Sequence, residues 1–230
     1  MSIGTFRVGG LRDWSALSTE PPLLKLTMPW ARQILSQFQM VPKNPSRAEF
    51  PGPYNKLLCT LFPVDTDYTV APRYVPGPHK SAPLGRFWYE VLFGDNKPVF
   101  VLELKRPGDL RYSFKRHEAD QQIRQRMKEL RRWSSSLIVW HSTNCLNSKD
   151  EFPLPVIHAV SAFGTRLCFY KMSHNQPIEP SPGPILAHTK HRGRKSTAPR
   201  ERWDCDILEE EGAERFKSVV EEIKRACASL

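Results

Sequence analysis

Apolar positions along the chain switch between two periods, and each switch marks an element. Positions 1–25 carry no sustained period. Positions 29–39 predict a short helix that begins near a proline. After a proline-rich loop at 42–53, Tyr54, Leu57, Leu58, Leu61 and Phe62 recur at helical spacing until Pro63 ends the helix. Positions 67–74 predict a strand, with Tyr68, Val70 and Tyr74 as β-forming residues. The strongest local signal is a hairpin, with strands at 87–93 and 99–105 around Gly94-Asp95-Asn96-Lys97-Pro98.

Downstream, Ala119, Ile123, Met127, Leu130 and Trp133 form one stripe of a long helix over 113–133. The apolar run 137–140 predicts a short buried strand. Positions 155–160 and 165–171 predict two more strands around a turn at 161–164. The proline-rich, basic stretch 173–201 predicts an exposed loop, and a helix over about 211–228 faces Phe216, Val219, Val220, Ile223 and Ala226 inward. Helix, three strands, helix and strand, then a further hairpin and a helix, pack most economically as an α/β domain. That domain has a mixed central sheet flanked by helices.

Composition narrows the class. Forty per cent apolar and 25% charged residues in a chain of 230 suit a globular domain. The net charge of +10 favours a polyanionic partner, nucleic acid or an anionic surface. The first ten residues lack the apolar core of a signal peptide, and no run approaches the ~18 apolar residues of a membrane span. The expectation is an intracellular protein, nuclear or cytoplasmic, with no membrane partner. Five cysteines without a CxxC pair argue against a zinc knuckle or a disulfide framework. No glycine-rich phosphate loop and no GxSxG elbow is present.

The candidate chemistry sits at the end of Pro98-Val-Phe-Val-Leu-Glu-Leu-Lys. Alternation puts Phe100, Leu102 and Leu104 on one face, and Val99, Val101, Glu103 and Lys105 on the other. Both faces begin apolar, as in a central strand covered on two sides. A carboxylate and an ammonium then emerge on one face, ~7 Å apart along the strand. Buried groups of this kind must meet each other, a metal or water. The pair suits metal-assisted phosphodiester hydrolysis, with Glu103 holding Mg²⁺ or Mn²⁺ through oxygen and Lys105 orienting water or neutralising charge. The plainer alternative is an ion pair at a strand end.

The order of elements, with ExK on the third strand, resembles the PD-(D/E)XK superfamily of restriction-endonuclease-like folds. Four stretches look like a narrower family of largely uncharacterised fungal proteins with a nuclease-like domain. They are Pro98-Val-Phe-Val-Leu-Glu-Leu-Lys, Glu118-Ala-Asp-Gln-Gln-Ile-Arg, Val160-Ser-Ala-Phe-Gly-Thr-Arg-Leu-Cys-Phe-Tyr and Arg202-Trp-Asp-Cys-Asp-Ile-Leu. The resemblance implies an αβββαβ core with an added C-terminal hairpin and helix over 46–230, after an N-terminal extension at 1–45. It also implies a metal-ligand role for Glu103, a catalytic role for Lys105, a place beside the site for Gln122, and an additional acid at Glu49. The implied activity is Mg²⁺-dependent hydrolysis of nucleic acid. The alternatives are a catalytically silent relative that binds nucleic acid, and a fold kept as a protein-interaction scaffold.

The superfamily expects Asp on the second strand, and this chain has none there. Glu90 is that strand's only acid. If the hairpin is centred between Asp95 and Asn96, facing positions sum to 191. Trp88 then faces Glu103, and Glu90 faces Val101, on Glu103's side of the sheet. Glu90 is therefore preferred over Asp67 as the second metal ligand. The basic run containing Lys190, Arg192, Arg194 and Lys195 is the candidate track for a phosphate backbone, with a solvated loop or a transport signal as the alternatives.

Overall fold

The computed structural model describes residues 28–76, 85–141, 154–183, 185–186, 195–196 and 198–230. Helix α1 (Arg32–Gln39) is followed by α2 (Pro51–Leu61), which starts on prolines where no N–H is needed. Strands β1 (Tyr68–Val75), β2 (Arg86–Phe93) and β3 (Lys97–Lys105) come next, then α3 (Ser113–His141). Strands β4 (Val156–Phe163) and β5 (Arg166–Ser173), the two-residue strands β6 (Ile185–Leu186), β7 (Lys195–Ser196) and β8 (Cys205–Asp206), and helix α4 (Glu210–Cys227) complete the order.

Six strands form one mixed sheet in the order β1-β2-β3-β4-β5-β8, parallel only between β3 and β4. β1 is an edge strand, which is why Pro72 is tolerated within it. β3 is central and buried from Pro98 to Leu104, as its two apolar faces predict. On one side, α1, α2 and α4 cover Phe100, Leu102 and Leu104. On the other, α3 lays Ala119, Ile123 and Met127 over Val101 and Ala159, with Trp203 closing the layer. The fold class is thus α/β, a mixed sheet between helices. α1 belongs to this core: Ile34, Leu35 and Phe38 are buried, and the Trp30 indole donates to the Ile207 carbonyl at 2.6 Å.

Several sequence expectations are corrected. Positions 137–140 are not a strand, because α3 continues to His141. A four-residue apolar run has no period of its own, and here it extends the helix it abuts. The strand that follows the long helix is therefore β4. The turn expected at 161–164 is also shorter. Ser161, Ala162 and Phe163 stay in β4, paired with Cys168, Leu167 and Arg166, and the chain reverses at Gly164-Thr165. Gly164 has φ +64, and a Cβ there would lie 2.6 Å from the Pro107 ring, so only glycine fits. Within 173–201, expected to lack regular structure, Glu179 forms a two-bond bridge with Lys171 and β6 pairs with β7.

The hairpin reaches the expected register by an unexpected route. Trp88 pairs with Glu103 and Glu90 with Val101, yet nearer the turn Leu92 pairs with Pro98 and Phe93 with Lys97. The turn is centred on Asp95, with Gly94 and Asn96 both at positive φ. The shift between Val91 and Leu92 leaves Val99 as the extra residue of a bulge. Val99 accordingly packs with the Phe100 cluster, not with Val101. Among the described residues, no helix is long and apolar enough to cross a membrane.

Candidate functional site

The candidate site lies where β3 ends, between the layer that begins at the 3₁₀ turn Arg47–Glu49 and the layer formed by α3. Strand alternation delivers Glu103 and Lys105 to one face, and the Lys105 Nζ stands 2.6 Å from Glu103 Oε1. Glu103 is 5% exposed. Lys105 Nζ also donates to Gln122 Oε1 on α3. Gln122 Nε2 donates to Glu118 Oε1 at 3.1 Å, and Glu118 Oε2 accepts from Lys115 Nζ at 2.9 Å. The helical spacings i,i+4 and i,i+3 of these residues put them on one face of α3. Burial raises the Glu118 pKa, but hydrogen bonds from Lys115 and Gln122 and the charges of Lys115 and Lys105 outweigh it. The net shift is below the usual carboxylate value.

Two buried side-chain polar atoms among the described residues lack any hydrogen-bond partner: Glu103 Oε2 and Ser161 Oγ. They belong to neighbours, since Glu103 pairs with Ser161 across the parallel β3–β4 ladder, and paired residues share a face. Buried groups of this kind are almost always satisfied, by protein, water or an ion. Two orphan oxygens side by side are a donor set that suits a hard cation.

Next to this pair, at Lys105, opens a cleft of about 120 Å³ that neither Glu103 nor Ser161 lines. Arg47, Arg86, Lys105, Arg106 and Lys115 line it, against Asp109 and Glu118, so five cations face two carboxylates. The guanidinium groups of Arg86 and Arg106 form no ion pair with a described residue. Arg47 Nη1 donates to the Gly85 carbonyl. Burial lowers the Arg47 pKa, while nearby Tyr74 and Glu103 raise it. An excess of positive charge in a confined, partly desolvated cleft draws anions. The loops around it are close-packed: Gly164 N–H donates to the Lys105 carbonyl, and the Tyr54 hydroxyl donates to the Gly164 carbonyl at 2.7 Å.

The other candidates are elsewhere. Glu90 does lie on Glu103's face, but both of its oxygens are occupied, by Arg73 Nε at 2.9 Å and by Trp88 Nε1 at 2.8 Å. Trp88, with the Arg126 guanidinium 3.9 Å from its ring, stands opposite Glu103 instead. Asp67 is at the hairpin end of the sheet, its carbonyl accepting from Gly94 N–H. It is six residues along β1 from Arg73, the partner of Trp88, and so on the order of 20 Å from Glu103. Glu49 accepts from Ser46 Oγ at 2.6 Å at its own turn, and its neighbour Arg47 enters the cleft in its place. Among the described residues, no group of three or more His, Cys, Asp or Glu gathers to hold a metal.

Lys190, Arg192 and Arg194 lie outside the described residues, and Lys195 is in β7. Arg124 and Arg202 are committed internally to Asp120. Arg124 Nε is 2.8 Å from Oδ2, Arg202 Nη1 is 2.9 Å from Oδ1, and the Tyr170 hydroxyl donates to Oδ1 at 3.1 Å.

Sequence reading missed Arg47, Arg86, Arg106, Lys115, Glu118 and Ser161. Only Lys115 and Glu118 had a local signal, their helical spacing to Gln122. Comparison with protein-family models, curated proteins and solved structures finds no match.

Proposed function

We propose that this chain is a nuclease-like protein that acts on phosphodiesters of nucleic acid at the Glu103–Lys105 site, with a divalent cation such as Mg²⁺ or Mn²⁺. The observation that carries the reading is the uncommitted oxygen of Glu103, buried beside Ser161 and joined through Lys105 to a cationic cleft. The order α2-β1-β2-β3-α3-β4, with ExK closing the third strand, supports a restriction-endonuclease-like core.

Glu103 Oε2 would hold the cation, with Ser161 Oγ beside it. A bound cation would supply Lewis acidity, activating water and offsetting charge on phosphorus. Lys105 has three N–H donors and spends two on Glu103 and Gln122, so one is left for a phosphate oxygen in the cleft. Gln122 fixes the direction of that ammonium, and Glu118 fixes the amide of Gln122. Arg86 and Arg106 draw the phosphate in and neutralise the pentavalent transition state.

A second reading, a silent relative that binds nucleic acid without cutting it, is favoured by one observation. Glu90 is committed to Arg73 and Trp88, which leaves Glu103 without a second free carboxylate from β2. The test is cleavage of plasmid and single-stranded substrates with and without Mg²⁺ or Mn²⁺, by the wild type, Glu103→Gln and Lys105→Met. Cation-dependent cleavage lost in both variants is the expected result. Binding without cleavage by the wild type selects the second reading.

A further inference from the structure

Most of the described aromatic residues are buried in the core. Among the described residues, three are exposed: Tyr74 (58%), Tyr112 (42%) and Phe114 (59%). Scattered exposed aromatics are ordinary on a protein surface. Two of them, Tyr112 and Phe114, form a pair next to Lys115, which lines the cationic cleft.

Tyr112 and Phe114 sit at the start of α3, with ring centroids 5.8 Å apart and planes 37° from parallel. The Arg111 guanidinium lies 4.7 Å from the Tyr112 ring centre, and the Lys115 ammonium 5.6 Å from that of Phe114. Lys115 lines the cleft, so Phe114 borders it. Tyr74 is on β1, paired through Phe87 with Leu104 and so on the sheet face opposite Glu103. It is near enough to Arg47 to act on its ionisation, and the carbonyl of the next residue, Val75, presses against Gly85 in the cleft wall. The result is a cationic cleft with a solvent-facing aromatic pair beside it at the start of α3.

From this arrangement we infer that the cleft is built for single-stranded nucleic acid, with one phosphate held by the cations and a neighbouring base stacked on the Tyr112–Phe114 pair. The inference rests on the nucleic-acid reading above and adds the class of substrate. In a duplex, each base face is covered by its neighbours, so exposed rings gain nothing from it. In a single strand, base faces are free, and stacking on an aromatic ring is favourable for any base. Cations over the rings add attraction to phosphate without demanding a sequence. Five cations beside an exposed ring pair suit backbone-and-stacking recognition, with Glu118 and Gln122 tied to Lys115 and Lys105 by hydrogen bonds.

The experiment measures binding, not cleavage, by fluorescence anisotropy in EDTA. The probes are a labelled oligothymidylate, its duplex with oligoadenylate, and an abasic oligomer with the same number of phosphates. The wild type should favour the single strand over both other probes. Tyr112→Ala/Phe114→Ala should weaken single-strand binding by about fivefold to a hundredfold and leave the duplex and abasic probes unchanged. Phe114→Trp should retain binding, which separates stacking from a folding defect. Arg86→Ala/Arg106→Ala should instead weaken all three probes and flatten the salt dependence.

Equal affinity of the wild type for the abasic and base-bearing strands would overturn the inference. So would an aromatic double variant that loses single strand and duplex alike. If the probes bind but the aromatic variants match the wild type, stacking alone is refuted and the phosphate site stands. If no probe binds the wild type, the nucleic-acid reading falls as well.

Discussion

Glu103 and Ser161 stand side by side across the parallel β3–β4 pair, each with a buried oxygen that no protein group satisfies. Neither residue explains the other by a direct hydrogen bond. Leaving such an atom unpaired costs about 1–3 kcal/mol, so the pair is a local weakness unless something binds between them.

Ser161→Ala should therefore have opposite effects on stability and on cation affinity. Without metal, removing the orphan hydroxyl should leave stability unchanged or raise it by about 1 kcal/mol. With Mn²⁺, affinity should fall roughly ten- to a hundredfold. Denaturant unfolding in EDTA and calorimetric titration with Mn²⁺ measure the two. Ser161→Cys should move the preference from Mg²⁺ toward the softer Cd²⁺. Unchanged Mn²⁺ affinity in both variants would remove Ser161 from the site.

Glu103 cannot be removed without cost, although a functional group at a strand end looks dispensable from sequence. Its side chain is 6% exposed and its partner Lys105 15%. Glu103→Gln leaves that ammonium mostly buried with half its support gone. Stability should drop by about 3 kcal/mol, by the general behaviour of broken buried pairs. Glu103→Gln/Lys105→Met should recover much of it. Urea unfolding of the three proteins gives the comparison, and a fully stable Glu103→Gln would mean the pair is solvated.

Asp120 organises a second charged cluster under α3, with Arg124 and Arg202 both within 3 Å. Tyr170 and the carbonyl of Ile178 complete it. Asp120→Asn would leave two guanidinium groups poorly matched in a buried place, and should cost about 3–5 kcal/mol. It should not change Mn²⁺ affinity, because the cluster makes no contact with Glu103. Thermal unfolding checks the first outcome, and titration of protein held below its melting temperature checks the second.

His158 on β4 should give the protein an acid-sensitive stability. Its Nε2 is 3.3 Å from Glu222 Oε2 on α4. Burial lowers its pKa below the usual 6.5, Glu222 opposes that shift, and Lys171 on β5 reinforces it. The folded imidazole is neutral, and the unfolded chain takes up the proton first as pH falls. Its contribution is intact above about pH 6.5 and is lost as the pH drops from there through the folded value. The melting temperature should fall over that window in the wild type, and His158→Gln should flatten the fall. An equal slope in both would assign the acid sensitivity to other groups.

What the sequence by itself determined was local and periodic. The stripes of α2, α3 and α4, the two apolar faces of β3, and the shared face of Glu103 and Lys105 all follow from repeats of 3.6 and 2, which depend on the backbone alone. Tertiary structure decided whatever joined distant segments. The run 137–140 was ambiguous because four apolar residues fit helix and strand equally, and continuation of α3 settled it. Ser161 came to stand beside Glu103 only through a parallel pairing made after the α3 crossover. No period in either strand encodes that register. Glu90 had the right face, yet Arg73 from the edge strand and Trp88 from its own strand claimed its oxygens. Arg47, Arg86, Arg106 and Lys115 lie in four separate segments, and a cationic cleft exists only because chain packing brings those segments to one end of the sheet.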